Sequence, residues 1–158
     1  MTYPSKVEFL QRLARNGVPF FVIGGHAVNF HGYIRATEDV DVVWIRTPKS
    51  EANLFAALSE VNACWISDDL DPATRREKLV PVTKNWLQTT HLMMLETDCG
   101  FVDLFDFVPG FPQTDVRQVH DESQPVDGIR FVSLAWLKRI KLAAGRPQDR
   151  IDLENLTE

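Results

Sequence analysis

Val22–Val43 reads VIGGHAVNFHGYIRATEDVDVV, and both the fold and the chemistry of the chain turn on how this stretch is understood. The apolar run Phe20–Ile23 stops abruptly at Gly24-Gly25. A segment carrying Ala27, Val28 and Phe30 then leads to a second break at Gly32. Beyond Arg35 and Thr37 the chain reaches Asp39-Val40-Asp41 and the apolar run Val42, Val43, Trp44, Ile45. If 39–45 is a strand, its side chains alternate between faces. Asp39 and Asp41 then share one face, and Val40, Val42 and Trp44 the other. Adjacent carboxylates repel unless a positive charge lies between them. A divalent cation supplies it, and hard oxygen ligands suit Mg²⁺. The glycines ahead of the pair let backbone N–H groups come close to a ligand. Turn and acid pair together read as a cradle for a triphosphate and its Mg²⁺. Read alone, a DxD is two solvated charges at a sheet edge.

At these residues the sequence resembles the DNA polymerase beta-like nucleotidyltransferase superfamily. More narrowly, GGHAVNFHGYIRATEDVD is similar to small bacterial nucleotidyltransferases related to the toxins of abortive-infection and toxin–antitoxin systems. The resemblance implies a third catalytic acid on a later strand and two Mg²⁺ ions. The implied reaction moves a nucleoside monophosphate from an NTP to a hydroxyl and releases pyrophosphate. Many members carry Gly-Ser where this chain has Gly24-Gly25, so one hydroxyl contact to phosphate is missing here while the backbone cradle stays.

The third acid is sought in the apolar strand expected over 101–108, after the turn Asp98-Cys99-Gly100. Phe101, Asp103 and Phe105 fall on one face, Val102, Leu104 and Asp106 on the other. A carboxylate in so apolar a strand is expensive to bury without charged partners. Asp103 and Asp106 both qualify, and the resemblance of VDLF to the later strand of the family favours Asp103. By the same resemblance KLAAGRPQDRIDLENL matches the C-terminal segment of these enzymes, so that Lys141 reaches the NTP phosphates with Arg146 nearby. Asp149 and Asp152 are read as structural, paired with Arg146 or Arg150. Arg35, close to the acid pair, is read either as a phosphate or substrate contact or as a salt-bridge partner of Glu38. His26 and His31 lack partners at metal-ligand spacing and are assigned structural roles.

The whole chain, 158 residues, has room for one core, here taken as a single domain over 1–158. Its composition, 44% hydrophobic and 25% charged, is that of a soluble globular protein. The N-terminus MTYPSKVEFLQR lacks an apolar leader, no run is long enough for a membrane span, and Cys64 and Cys99 suit reduced thiols. The expected location is the cytoplasm. A net charge of −5 argues against an extensive nucleic-acid footprint.

Helices are expected from Ser5, as an N-cap, to about Asn16, over a short segment after Gly24, from Thr47-Pro48 to about Asn62, over 134–144, and from Pro147 onward. Strands are expected over 20–23, 39–45, 101–108 and 129–132, with Trp86–Leu95 as one strand broken near Thr90-His91. Asp68, Asp69 and Asp71 read as a turn and cap. The expected fold is α/β, a mixed sheet of about five strands of nucleotidyltransferase-like type with helices mainly on one face. The expected activity is Mg²⁺-dependent nucleotidyl transfer to RNA or tRNA, to a protein or to a small molecule. The alternatives are a nucleotide-binding module without catalysis and a toxin controlled by an antitoxin partner.

Overall fold

The computed structural model describes residues 5–157. Met1–Pro4, part of the segment read as lacking an apolar leader, and Glu158 lie outside the described residues.

Helix α1 (Lys6–Arg15) starts where the Ser5 hydroxyl accepts the Glu8 N–H, and buries Phe9, Leu10 and Leu13. Glu8 pairs with Arg12, one turn on, at 3.0 Å. Strand β1 (Phe20–Ile23) is buried on both faces, and α2 (Gly24–Phe30) begins at once after it. An irregular segment leads to β2 (Val40–Trp44). Thr47 and Ser50 cap α3 (Pro48–Glu60) reciprocally, with proline at the first helical position. Next come β3 (Cys64–Leu70), β4 (Glu77–Pro81), α4 (Lys84–Thr89), β5 (Leu92–Thr97) and β6 (Gly100–Phe105). They are followed by α5 (Val116–Asp121), β7 (Gln124–Val126), β8 (Ile129–Phe131), α6 (Leu134–Ala144) and α7 (Pro147–Asn155).

The strands form one sheet of eight in the order β4-β3-β5-β6-β2-β1-β8-β7. It is mixed: β2 runs parallel to β6 and β1 to β8, and the other neighbours are antiparallel. The expected mixed α/β architecture is present, but with eight strands instead of about five. The additional strands had no apolar alternation to announce them. β4 is mostly exposed and β7 wholly so, both at sheet edges, and β3 carries Asp68 and Asp69 within the strand instead of in a turn. Between Trp86 and Leu95 the expected broken strand is a helix and a strand. Thr83 caps α4 by accepting the Trp86 N–H, Leu87 is buried, and Trp86 stacks on Trp65 at 5.6 Å. A helical stripe this short imitates alternation.

Helices cover both faces of the sheet, which corrects the expectation of one. On the first side α1, α3 and α4 pack on Val22, Val40, Val42, Trp44, Met93, Leu95, Val102 and Leu104. On the second, α2, α5 and α6 pack with Phe21, Ile23 and Val43. The cause is visible in β1 and β2, which are apolar at nearly every position and so need a partner on each side. Among the described residues no helix is long and apolar enough to cross a membrane. Cys64 and Cys99 are both free thiols.

Candidate functional site

The second side of the sheet holds a polar cleft at the ends of β1, β2 and β6. Its outer part is a cavity of about 280 Å³ lined by Gly24, Gly25, Arg35, Thr37, Asp39, Asp41, Lys141 and Arg146, among others. A smaller hollow of about 120 Å³ shares Gly24, Asp41, Lys141 and Arg146 with it and adds Asp103 and Phe105. Six of the seven sequence-nominated residues therefore line the outer cavity, and Asp103 lines its inner extension.

Parallel pairing sets Asp41 of β2 directly opposite Asp103 of β6. Alternation turns both to the second side, since Val40, Val42, Val102 and Leu104 are buried on the first. The two carboxyl groups lie side by side and act on each other's ionisation. Burial, reinforced by the charge of Asp41, pushes Asp103 up to about 7. Asp41 is also raised, first by burial and then by the charge of Asp39, against the opposing pull of Arg146 and Lys141. Asp39 precedes β2 and is exposed at the mouth of the cavity. Among the described residues no three His, Cys, Asp or Glu side chains are gathered closely enough to hold a metal ion.

The glycine turn is required by this acid. Gly24 has a φ of +68°, and a Cβ there would overlap Asp41 Oδ2. A Cβ on Gly25 would overlap the Thr37 hydroxyl. Ile23 pairs with Asp41 across β1 and β2, so the turn leaves the sheet right beside the carboxylate.

The basic wall is organised from α7. Arg35 grips Asp152 with two parallel hydrogen bonds, Nε–Oδ1 at 2.7 Å and Nη2–Oδ2 at 2.8 Å, and donates from Nη1 to the Ala36 carbonyl. Arg35 is thus in a salt bridge, with Asp152 and not with Glu38. Lys141 is buried, with Nζ 2.8 Å from Asp152 and 3.1 Å from Asp149. Arg146 bonds Asp149 at 2.7 Å while its side chain remains 74% exposed. Burial alone would raise both acids, but their cationic partners prevail. Arg35, Lys141 and Gln148 hold Asp152 down to about 2, and Arg146 with Lys141 lowers Asp149. The pairing of Asp149 with Arg146 was legible in the sequence, whereas Asp152 takes Arg35, 117 residues away in the chain, and Lys141 of the preceding helix. Arg150 makes no ion pair among the described residues.

Asp106 is occupied elsewhere. It bonds Arg46 at 2.7 Å and His91 at 2.8 Å, near the opposite edge of the first core. His31 donates from Nε2 to the Val132 carbonyl at 2.7 Å, tying α2 to the segment before α6. His26 Nε2 is buried without a partner, and burial, aided by Lys6 and Arg35, lowers the histidine's pKa.

The sequence matches no protein-family model and no curated protein. Among solved structures the chain is similar to JHP933 from Helicobacter pylori, with 15% identity and a TM-score of 0.47 over 95% of this chain and 63% of that one. It is also similar to an H. pylori protein described provisionally as a nucleotidyltransferase, with 14% identity and a TM-score of 0.49 over 95% of this chain and 65% of that one. The chain spans less than two thirds of the length of either neighbour.

Proposed function

We propose that the chain is a Mg²⁺-dependent nucleotidyltransferase that moves a nucleoside monophosphate from an NTP to a hydroxyl. The reading rests on one observation, the half-buried pair Asp41–Asp103 set beside a glycine turn that has no room for a side chain. Two half-buried carboxylates that face each other repel unless a proton or a cation lies between them. An all-oxygen donor pair of this kind fits Mg²⁺, which would replace that proton. Asp39 completes the donor set only if the irregular segment before β2 carries it inward. Ions bound here, two by the family resemblance, would neutralise charge on the phosphates and on the attacking oxygen.

The rest of the reaction belongs to the chain's own groups. The turn at Gly24-Gly25 gives the phosphates close approach to backbone, and Arg146, the most exposed cation of the wall, meets them. The acceptor oxygen attacks the α-phosphorus. A new P–O bond forms, the bond to the β-phosphate oxygen breaks, and pyrophosphate leaves with the electron pair. Asp103 receives the hydroxyl proton. Arg35 and Lys141, both paired with carboxylates of α7, hold the wall in position.

A second reading, an NTP-binding module without transfer, draws support from Asp39, which stands exposed and apart from the other two acids. Regulation by an antitoxin-like partner is a further proposal carried only by the resemblance. Calorimetric titration of each NTP with and without Mg²⁺, followed by pyrophosphate release in the presence of host-cell extract, separates these readings. Binding and release that both require Mg²⁺ and vanish in Asp41→Asn support the transferase. Binding without release supports the module, and no binding refutes both.

A further inference from the structure

One half of the sheet is bare on the side that holds the acids. No buried residue of the second core comes from β3, β4 or β5. None of the side chains those strands turn to this side is buried: Met94 is 55% exposed, Leu92 42% and Leu79 47%, beside Phe101 of β6 at 47%, while Cys64 and Ile66 are half-buried. With Leu70, five of the ten exposed large apolar side chains among the described residues lie on this one surface. Such a concentration marks a contact surface, since scattered exposed apolar residues are the norm. It also abuts the candidate site, because Met94 is the register partner of Asp103 and Phe101 lies two residues from it on the same face.

Two properties select the occupant. The first is charge. None of the side chains that β3, β4, β5 and β6 turn to this side is Lys or Arg, whereas Glu77, Glu96 and Asp103 are acids. Lys78 falls on the other side with Val80, the partner of Trp65. A nucleic acid needs basic groups to replace its counterions and finds none here. The second is breadth. From β6 to β4 the surface crosses three strand spacings, about 14 Å, which exceeds what a small acceptor molecule covers.

Resting on the transferase reading, we propose that this bare sheet face is the acceptor platform and that the acceptor is a polypeptide. An apolar segment of that polypeptide seats on Met94 and Phe101 and presents a Ser, Thr or Tyr hydroxyl beside Asp103. Its oxygen bonds to the α-phosphorus, the bond to the departing pyrophosphate breaks, and the hydroxyl proton passes to Asp103. The product is a phosphodiester-linked nucleotidyl protein.

The test incubates the protein with Mg²⁺, each α-³²P-labelled NTP and extract of the expression host. The products are divided among protease, ribonuclease and acid-soluble analyses. Expected is label on polypeptides other than the 18.0 kDa protein itself, resistant to ribonuclease, absent with Asp41→Asn, and at least tenfold lower with Met94→Glu and with Phe101→Glu. Both sites are exposed, and melting curves verify that the variants fold. Label in ribonuclease-sensitive or acid-soluble product, label confined to the protein itself, or protein labelling indifferent to both substitutions overturns the platform while leaving nucleotidyl transfer standing. No label in any fraction also overturns it. Mg²⁺-dependent ATP binding by the unmodified protein then shows whether the nucleotide site falls with it.

Discussion

The α-carbon of Gly24 lies against the carboxylate of Asp41 so closely that a methyl group there would overlap Oδ2. The turn also holds a left-handed backbone, which costs a residue with a Cβ about 1–2 kcal/mol. Gly24→Ala meets both penalties. The expected result is a lower melting temperature together with loss of Mg²⁺–NTP binding, read by thermal denaturation and calorimetry. Binding at the unmodified level would separate the turn from the nucleotide.

Asp103→Asn removes one of two facing half-buried carboxylates and keeps the shape. At pH 8, above the value near 7 that burial and Asp41 impose on Asp103, the metal-free variant is expected to melt higher than the parent while transfer is abolished. Differential scanning calorimetry without Mg²⁺ measures the first effect and pyrophosphate release the second.

Lys141 and Arg146 line the same cavity and should fail in different ways. Lys141→Met leaves Asp149 and Asp152 buried with one cation fewer each. Breaking a buried ion pair from one side costs about 3–5 kcal/mol. Arg146→Ala removes a side chain that is 74% exposed, so the fold should persist and NTP affinity fall. Urea unfolding and NTP titration of both variants check the contrast. Equal stability loss in the two would refute it.

Acid should loosen α7 by a specific route. The carboxyl of Asp152 is held down to about 2 in the folded protein, against an ordinary value near 4 in the unfolded chain. A depressed carboxyl contributes its stability above the unfolded value and loses it as pH falls through the folded one. The contribution, about 2 kcal/mol, is expected in full at pH 6 and should fade between about pH 5 and pH 2. Asp152→Asn should flatten that part of the stability curve, followed by urea midpoints across the range.

The legibility of this chain follows the length of its interactions. Ser5, Thr47 and Ser133 announced three helices because a cap acts over three residues. Asp41 and Asp103 were legible because a carboxylate in an apolar strand is conspicuous wherever its partner lies. Asp106 looked much the same on that ground, and only the distant Arg46 tells it apart. The clamp of Arg35 on Asp152 spans 117 residues, and no local pattern foretells it. β7 was missed because all three of its residues are exposed, although Asp127-Gly128, with positive φ at both positions, is the kind of pair that closes a hairpin. The second helical layer was missed for a related reason. β1 and β2 are apolar at nearly every position, a pattern that asks for two covers without telling which helices supply the second.

Order of synthesis gives the α7 clamp a further meaning. Arg35 and Lys141 both depend on Asp152, so the wall beside Asp41 cannot set until residues near 150 have left the ribosome. A nascent or truncated chain that already contains Gly24, Asp41 and Asp103 would still have two cations without their anion and a wall free to collapse. Competence therefore waits for α7, and fragments ending before Pro147 would be inert instead of partly active.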